Sequence, residues 1–328
     1  MAEVSRGTGT IRVGMVGAGG IARRHLEVLA TEEGVEVVAH LGRSAGPVAA
    51  QARRYGGRVA GDIGEMLGDV HAVWVCVTPD GHGAIEEALV ERGVPFFVEK
   101  PLAADAETPE RLAVAIEGAG LPVAVGYHWR ALDTLDDVRA ALGDRPPHLV
   151  VGAWHGSTPG VEWWRRQARS GGQMVEQATH LLDLARWLVG EAEVVGARAT
   201  AHPRPAFPDA NVADVSAALL RYASGATGTF TATCLLGRAE TIGLSLYAEG
   251  IAVRITQEAV TIDDGRERRE VRTRADPFVT EDRAFLDAVR SGDATRVVSP
   301  YGDALLTHRL AVAIRDAAEG GENAEGIT

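Results

Sequence analysis

Lys100 is the one lysine of a 328-residue chain whose other 32 basic side chains are all arginine. The Ala-, Gly- and Arg-rich composition points to a bias that replaces lysine wherever any cation will serve. An ammonium can release a proton near neutral pH when its surroundings are tuned, and a guanidinium cannot. Lys100, within Glu99-Lys100-Pro101, is therefore a candidate for proton chemistry; the competing reading is that one lysine had to fall somewhere. His180 is the second such group. On a single helix over Met174–Val189, at about 100° per residue, Glu176, His180, Asp183 and Trp187 share about 60° of a mostly apolar surface. A polar stripe is usually a solvated face, but short titratable groups on an otherwise apolar helix predict a cleft wall. One helical turn separates Glu176 from His180, which makes a carboxylate–imidazole contact geometrically open.

A glycine-rich turn supplies a different chemistry. Ile11–Val16 reads as a strand running into Gly17-Ala18-Gly19-Gly20-Ile21-Ala22 and then into a helix. Gly17 permits the tight turn, Gly19 lets a pyrophosphate approach the backbone, and small Ala22 lets helix and strand pack closely. The diphosphate would rest on the free N–H groups of the helix start, at Gly20 and Ile21. Following the first strand of a βαβ pattern, this turn predicts dinucleotide binding. The second strand ends in Leu41-Gly42-Arg43-Ser44, with no carboxylate to hold the ribose hydroxyls of NAD. Arg43 and Ser44 suit a 2′-phosphate through charge-assisted bonds of ~1.5–3 kcal/mol, so NADP is favoured over NAD unless Arg43 is one more solvent arginine.

The elements that must position these groups follow from periodicity. Short β-rich runs at Ile11–Val16, Val35–Leu41, Val70–Val77, Pro95–Val98 and Pro122–Val125 alternate with helical patterns, the signature of a parallel sheet wrapped by helices. Glu99-Lys100 follows one of these strands, and Thr78-Pro79-Asp80-Gly81-His82 leaves the preceding one. Both should emerge at the carboxyl edge, where ligands of open α/β sheets lie, making Thr78, Pro79, Glu99 and Lys100 cofactor-side candidates. His82 either reaches the nicotinamide region or caps the next helix. After Gly126 the texture changes to closely spaced alternating segments between Val194 and Arg272, separated by turn pairs such as Asp264-Gly265, as antiparallel hairpins require. The expected fold is an α/β domain over 1–126 followed by an α+β domain over 127–328, with the closing helices free to pack back on the first.

A net charge of −12 argues against nucleic acid as a partner. No apolar run is long enough to span a bilayer, and polar Met1–Thr10 lacks a signal-peptide core. Cys76 and Cys234, far apart in apolar runs, read as buried free thiols, which fits a reducing cytoplasm. No metal site is expected. The Gly/Glu/Asn-rich tail after Glu319 is expected to be disordered.

These residues resemble the Gfo/Idh/MocA family. The match comprises the Gly17–Ala22 turn, Thr78-Pro79 with His82, Glu99-Lys100-Pro101, Ser170-Gly171-Gly172, and Glu176…His180…Asp183 ending in Trp187-Leu188-Val189-Gly190. The resemblance implies a Rossmann domain, then an open and mainly antiparallel sheet, with hydride exchanged between NAD(P) and a carbon of a sugar, cyclitol or related polyol. It implies homodimers or homotetramers formed through the open sheet. The family's lysine falls on Lys100 and its histidine on His180; its aspartate falls on Glu176, about one methylene longer. A glycine common between them is Ala178. His180 would serve as acid and base, Lys100 would stabilise charge on the same oxygen, and Glu176 would orient the imidazole or neutralise its cation. Glu162-Trp163-Trp164-Arg165-Arg166 resembles the substrate-facing loop, so Trp164 and Arg165 are substrate candidates, unless they are a structural tryptophan and a solvent arginine. Tyr127 and Arg130, just past the last parallel strand, form another candidate rim, with Arg130 open to a bridging role between domains. Two other functions of the same fold compete: a non-catalytic sensor of nucleotide and sugar, and a glycosidase that uses bound NAD for transient oxidation.

Overall fold

Continuous apolar runs such as Ala72–Val75 and Phe96–Val98 become strands buried on both faces, the condition that a parallel sheet flanked by helices imposes. The computed structural model describes residues 9–320; the N-terminal segment before residue 9 and the tail beyond residue 320 lie outside them. Two units divide the chain: Met1–Ala103 with Glu107–Ala131 and Asp276–Leu305, and Ala104–Ala106 with Leu132–Ala275 and Leu306–Thr328.

The first unit holds a six-stranded sheet of β1 (Ile11–Val16), β2 (Val35–Leu41), β3 (Arg58–Val59), β4 (Ala72–Val75), β5 (Phe96–Val98) and β6 (Val123–Val125), in the order β3-β2-β1-β4-β5-β6. Every neighbouring pair is parallel. The strands expected to start at Pro95 and Pro122 start one residue later, because proline has no N–H to give to a ladder. The run Val70–Val77 is a strand only over Ala72–Val75. Late in the sequence, the helix Pro277–Ser291 belongs to this unit. Asp276 caps it by accepting from Phe278 N–H, Pro277 occupies its first turn, and Phe285 meets Trp74 edge-on at 5.0 Å.

The second unit is built on an eight-stranded sheet: β7 (Leu149–His155), β8 (Ala192–Thr200), β9 (Val215–Tyr222), β10 (Thr227–Thr233), β11 (Thr241–Ala248), β12 (Ile251–Ile255), β13 (Ala259–Asp263) and β14 (Arg268–Arg272). Its order is β14-β13-β12-β11-β7-β10-β9-β8, antiparallel except for β7 with β10. The two-residue period sends Ala218, Leu220, Tyr222 and Phe230 inward and leaves Leu149, Leu219 and Tyr247 on an exposed face.

The single helix expected over Met174–Val189 is two: Gln173–Glu176 and Thr179–Val189. At the break Ala178 N–H bonds the carbonyl of Gln173, five residues back, so one extra residue enters and the two pieces lose a common phase. No helix among the described residues is long and apolar enough to cross a membrane.

Candidate active site

In the first unit, β1 gives way to Gly17 at φ +109°, and a Cβ there would lie 2.1 Å from the carbonyl oxygen of Cys76. Only glycine fits. Gly17 N–H donates to Leu41 O at 2.8 Å and Gln51 Nε2 donates to Gly17 O at 3.0 Å, which holds the loop from both sides. Above Gly19 and Gly20 nothing lies within 4 Å of where a Cβ would sit. Gly19 caps the helix Gly20–Leu29 without a side-chain bond, so the first helical N–H groups are left for an external acceptor. Open space over an uncapped helix start fits the diphosphate of a dinucleotide. Arg43 and Ser44, both exposed, follow β2; Arg43 Nη2 donates to Thr78 Oγ1 at 3.3 Å. Pro79 opens a short turn, Pro79–Gly81. His82 is tied to the following helix: its Nδ1 lies 2.6 Å from Glu86 Oε1, while Glu86 Oε2 accepts from Gly83 N–H. Burial raises the Glu86 carboxyl, but His82 and the Gly83 amide outweigh it and hold it below its ordinary value.

Glu99 and half-buried Lys100 leave β5 at the same edge. Glu99 is buried, and Gly126 beside it has no room for a side chain, since a Cβ would stand 2.7 Å from Glu99 Oε1. His128, nearby, is pushed down to about 4 by burial; Glu99 opposes this, and the Lys100 and His25 cations add to it. The expected rim at Tyr127 and Arg130 is interior. Tyr127 packs in the core with Val98, Val125 and Tyr301, and Arg130 is buried with Nη1 2.5 Å from Asp303 Oδ2. Asp303 belongs to the same unit, so this pair joins two stretches of it that are remote in sequence.

The second unit carries the histidine. His180 is buried in the first turn of Thr179–Val189, its ring stacked at 21° on Trp154 with centroids 6.0 Å apart. Gly171 and Gly172, at φ +78° and +88°, open the helix Gln173–Glu176 that brings in Glu176. Glu176 Oε2 accepts from Trp164 Nε1 at 2.7 Å, and Trp164 is buried with Val212 and Cys234. Arg165 is no solvent arginine: its Nε lies 3.7 Å from Asp209 Oδ1 and its guanidinium 5.4 Å from the Phe207 ring. The helix break takes Glu176 out of the expected four-residue stripe, while His180, Asp183 and Trp187 stay together on Thr179–Val189. Asp183 accepts from Thr307 Oγ1 at 2.8 Å inside the unit, and Trp187 lies under the Arg139 guanidinium at 4.1 Å. Sequence reasoning missed Trp154, for which the only signal is an aromatic side chain on a strand.

Residues 11–127 match the oxidoreductase family with an NAD-binding Rossmann fold, and residues 142–254 match the GFO/IDH/MocA C-terminal domain. A myo-inositol dehydrogenase of Streptomyces leeuwenhoekii is 30% identical over 279 residues, covering 80% of this chain and 83% of its own. The chain belongs to the Gfo/Idh/MocA oxidoreductase family. An inositol 2-dehydrogenase of Rhizobium meliloti is 28% identical over 94% of this Gfo/Idh/MocA chain and 98% of its own. Levoglucosan dehydrogenase, solved with NADH and levoglucosan, shares the fold at a TM-score of 0.82, 21% identity and coverage of 95% and 98%. This family member is an oxidoreductase whose parallel sheet is an NAD(P)-binding Rossmann domain.

Proposed function

We propose that the enzyme exchanges hydride between NADP and a carbinol or keto carbon of a sugar, cyclitol or related polyol. The reading is carried by one observation: the chain's only lysine, Lys100, and His180 are both present in a sequence that aligns with an inositol 2-dehydrogenase over 94% of its length. Gly17, Gly19, Gly20 and Ile21 hold the diphosphate, Arg43 and Ser44 the 2′-phosphate, and Thr78, Pro79, Glu99 and Lys100 the nicotinamide side. His82 supports the Thr78–Pro79 turn from behind through Glu86. The dinucleotide supplies the hydride acceptor or donor.

Oxidising a carbinol requires its hydroxyl to lose a proton, and reducing a ketone requires a donor at its oxygen. An imidazole, ordinarily titrating near ~6.5, suits both directions, and His180 takes this role. Lys100 donates a hydrogen bond to the same oxygen and stabilises the negative charge that develops there. Glu176 offsets the imidazolium charge while Trp164 fixes its carboxylate. Trp154 sets the plane of the His180 ring. Arg165 contacts substrate oxygens, whereas Tyr127, Arg130 and Trp164 act by positioning from the interior. Dimers or tetramers form through the open face that exposes Leu149, Leu219 and Tyr247.

A panel of polyols, cyclitols and keto-sugars assayed with NADP and NAD, forward and reverse, tests the reading. Stoichiometric change in nicotinamide absorbance with at least one substrate is expected, with NADP bound about tenfold or more tightly than NAD. Tighter binding of NADH than NADPH would overturn the cofactor assignment.

A further inference from the structure

Behind Lys100, the first unit buries more ionisable groups than a protein interior ordinarily holds. His25, on the helix Gly20–Leu29, lies entirely inside; its Nδ1 is 2.8 Å and 3.0 Å from the two oxygens of Asp282, and its Nε2 is 2.9 Å from Glu99 Oε1. Carboxylate oxygens facing both ring nitrogens suit an imidazolium that donates on either side. Trp74 Nε1 adds a bond to Asp282 Oδ1 at 2.9 Å. The second oxygen of Glu99 accepts from the backbone N–H of Lys100 at 3.1 Å. One hydrogen-bonded line therefore runs from the late helix Pro277–Ser291, through His25 and Glu99, to the peptide of the chain's single lysine.

Resting on the catalytic reading of Lys100, we propose that His25 is a positioning residue for it: clamped by Asp282, it fixes the Glu99 carboxylate and thereby the setting from which Lys100 serves the substrate. The groups gathered about the imidazole are Asp282 and Glu281 from the late helix, Glu99 and Lys100 beyond β5, His128 after β6, and Cys76 beyond β4. Burial opposes a charge on His25, yet Asp282 and Glu99 together outweigh it and raise the imidazole well above its ordinary value. Glu281 is buried, and neither of its carboxylate oxygens has a hydrogen-bond partner among the described residues. Burial raises its carboxyl well above the ordinary value, His25 opposes, and Glu99 and Asp282 add to the rise. Phe97 and Phe278 line the ring at 4.9 Å and 5.7 Å, so the clamp is held by packing as well as by charge.

The single lysine makes the proposal directly observable. Protein grown with lysine enriched in 13C at Cε gives one side-chain signal, from Lys100. A single sharp signal is expected from the wild type. His25→Gln and Asp282→Asn should each split it or broaden it roughly twofold or more, while NADPH binding and cooperative melting persist. Glu27→Gln, an exposed change on the same helix, should leave it untouched. An unchanged signal in either folded variant overturns the proposal. Should neither variant fold, 15N-histidine spectra of the wild type decide: the clamp requires a ring that stays doubly protonated above the ordinary histidine value of about 6.5, and finding none overturns it. Stoichiometric metal in the purified protein would also overturn it, because ligand atoms of His25, Glu99 and Glu281 lie within 4.8 Å of one another and would then serve the ion. Full turnover by Lys100→Ala would instead reject the catalytic reading and leave the wild-type spectrum as expected.

Discussion

Proton transfer by a placed side chain contributes about 10²–10⁴ to a rate, and one hydrogen bond to a developing oxyanion about 10²–10³. His180→Ala and Lys100→Ala are expected to lower kcat by those factors, His180→Ala while changing the Kd for NADPH by less than about threefold. Steady-state turnover and fluorescence titration measure the two effects separately. Lys100→Arg should recover little, since a planar guanidinium replaces a compact ammonium. Glu281 makes a prediction about stability. Its folded-state carboxyl titrates well above its ordinary 4.5, so folding takes up a proton and stability falls as pH rises through that folded value. Glu281→Gln cannot ionise and should raise the Tm at neutral pH, with a gain of up to ~1.4 kcal/mol per pH unit above about 4.5 that vanishes below it. A gain equal at acid and neutral pH would contradict this. Lys100 stood out because the composition removed every other lysine, and His180 because it sits behind a glycine pair on an apolar helix. His25 gave no such signal: its partner Asp282 is 257 residues away, a separation that carries no pattern.

Elements place these groups through a few demanding positions. Gly17→Ala would strain a φ of +109° and drive a Cβ against Cys76 O, so a loss of about 2–4 kcal/mol in stability is expected by denaturant unfolding. Gly19→Ala meets no protein atom within 4 Å; its melting should stay within about 0.5–1 kcal/mol of wild type while NADPH binding weakens, because the new methyl enters the diphosphate's space. Equal loss of stability in both variants would reject the assignment of the turn. Most strands were legible from apolar runs and two-residue alternation, with errors at Pro95 and Pro122 that the missing proline N–H explains, and at both ends of Val70–Val77, where only Ala72–Val75 is strand. The break between Gln173–Glu176 and Thr179–Val189 was not legible. Gln177-Ala178 contains no helix breaker, and the hydrogen bond that spans five residues leaves no mark on composition. Because of it, a helical wheel drawn across both pieces misplaces Glu176 relative to His180, Asp183 and Trp187, which share the helix Thr179–Val189.

At the scale of the whole molecule, the first unit is discontinuous, since Asp276–Leu305 returns to it after the eight-stranded sheet is complete. Contacts of that span were open to the sequence only as a general allowance for the closing helices. The exposed face with Leu149, Leu219 and Tyr247 is expected to be covered by a second copy, and Leu219→Arg should shift the mass seen in light scattering towards the monomer. A wild-type monomer at micromolar concentration would remove that assignment. In the proposed reaction Lys100 and His180 serve one hydride transfer. Its most direct test is turnover of NADP with the best substrate from the polyol panel, compared among wild type, Lys100→Ala, His180→Ala and the double variant. Two residues acting on one oxygen predict that each single loss is severe and that the double loss is much smaller than the product of the two. Wild-type turnover in either single variant, with NADP still bound, would contradict it.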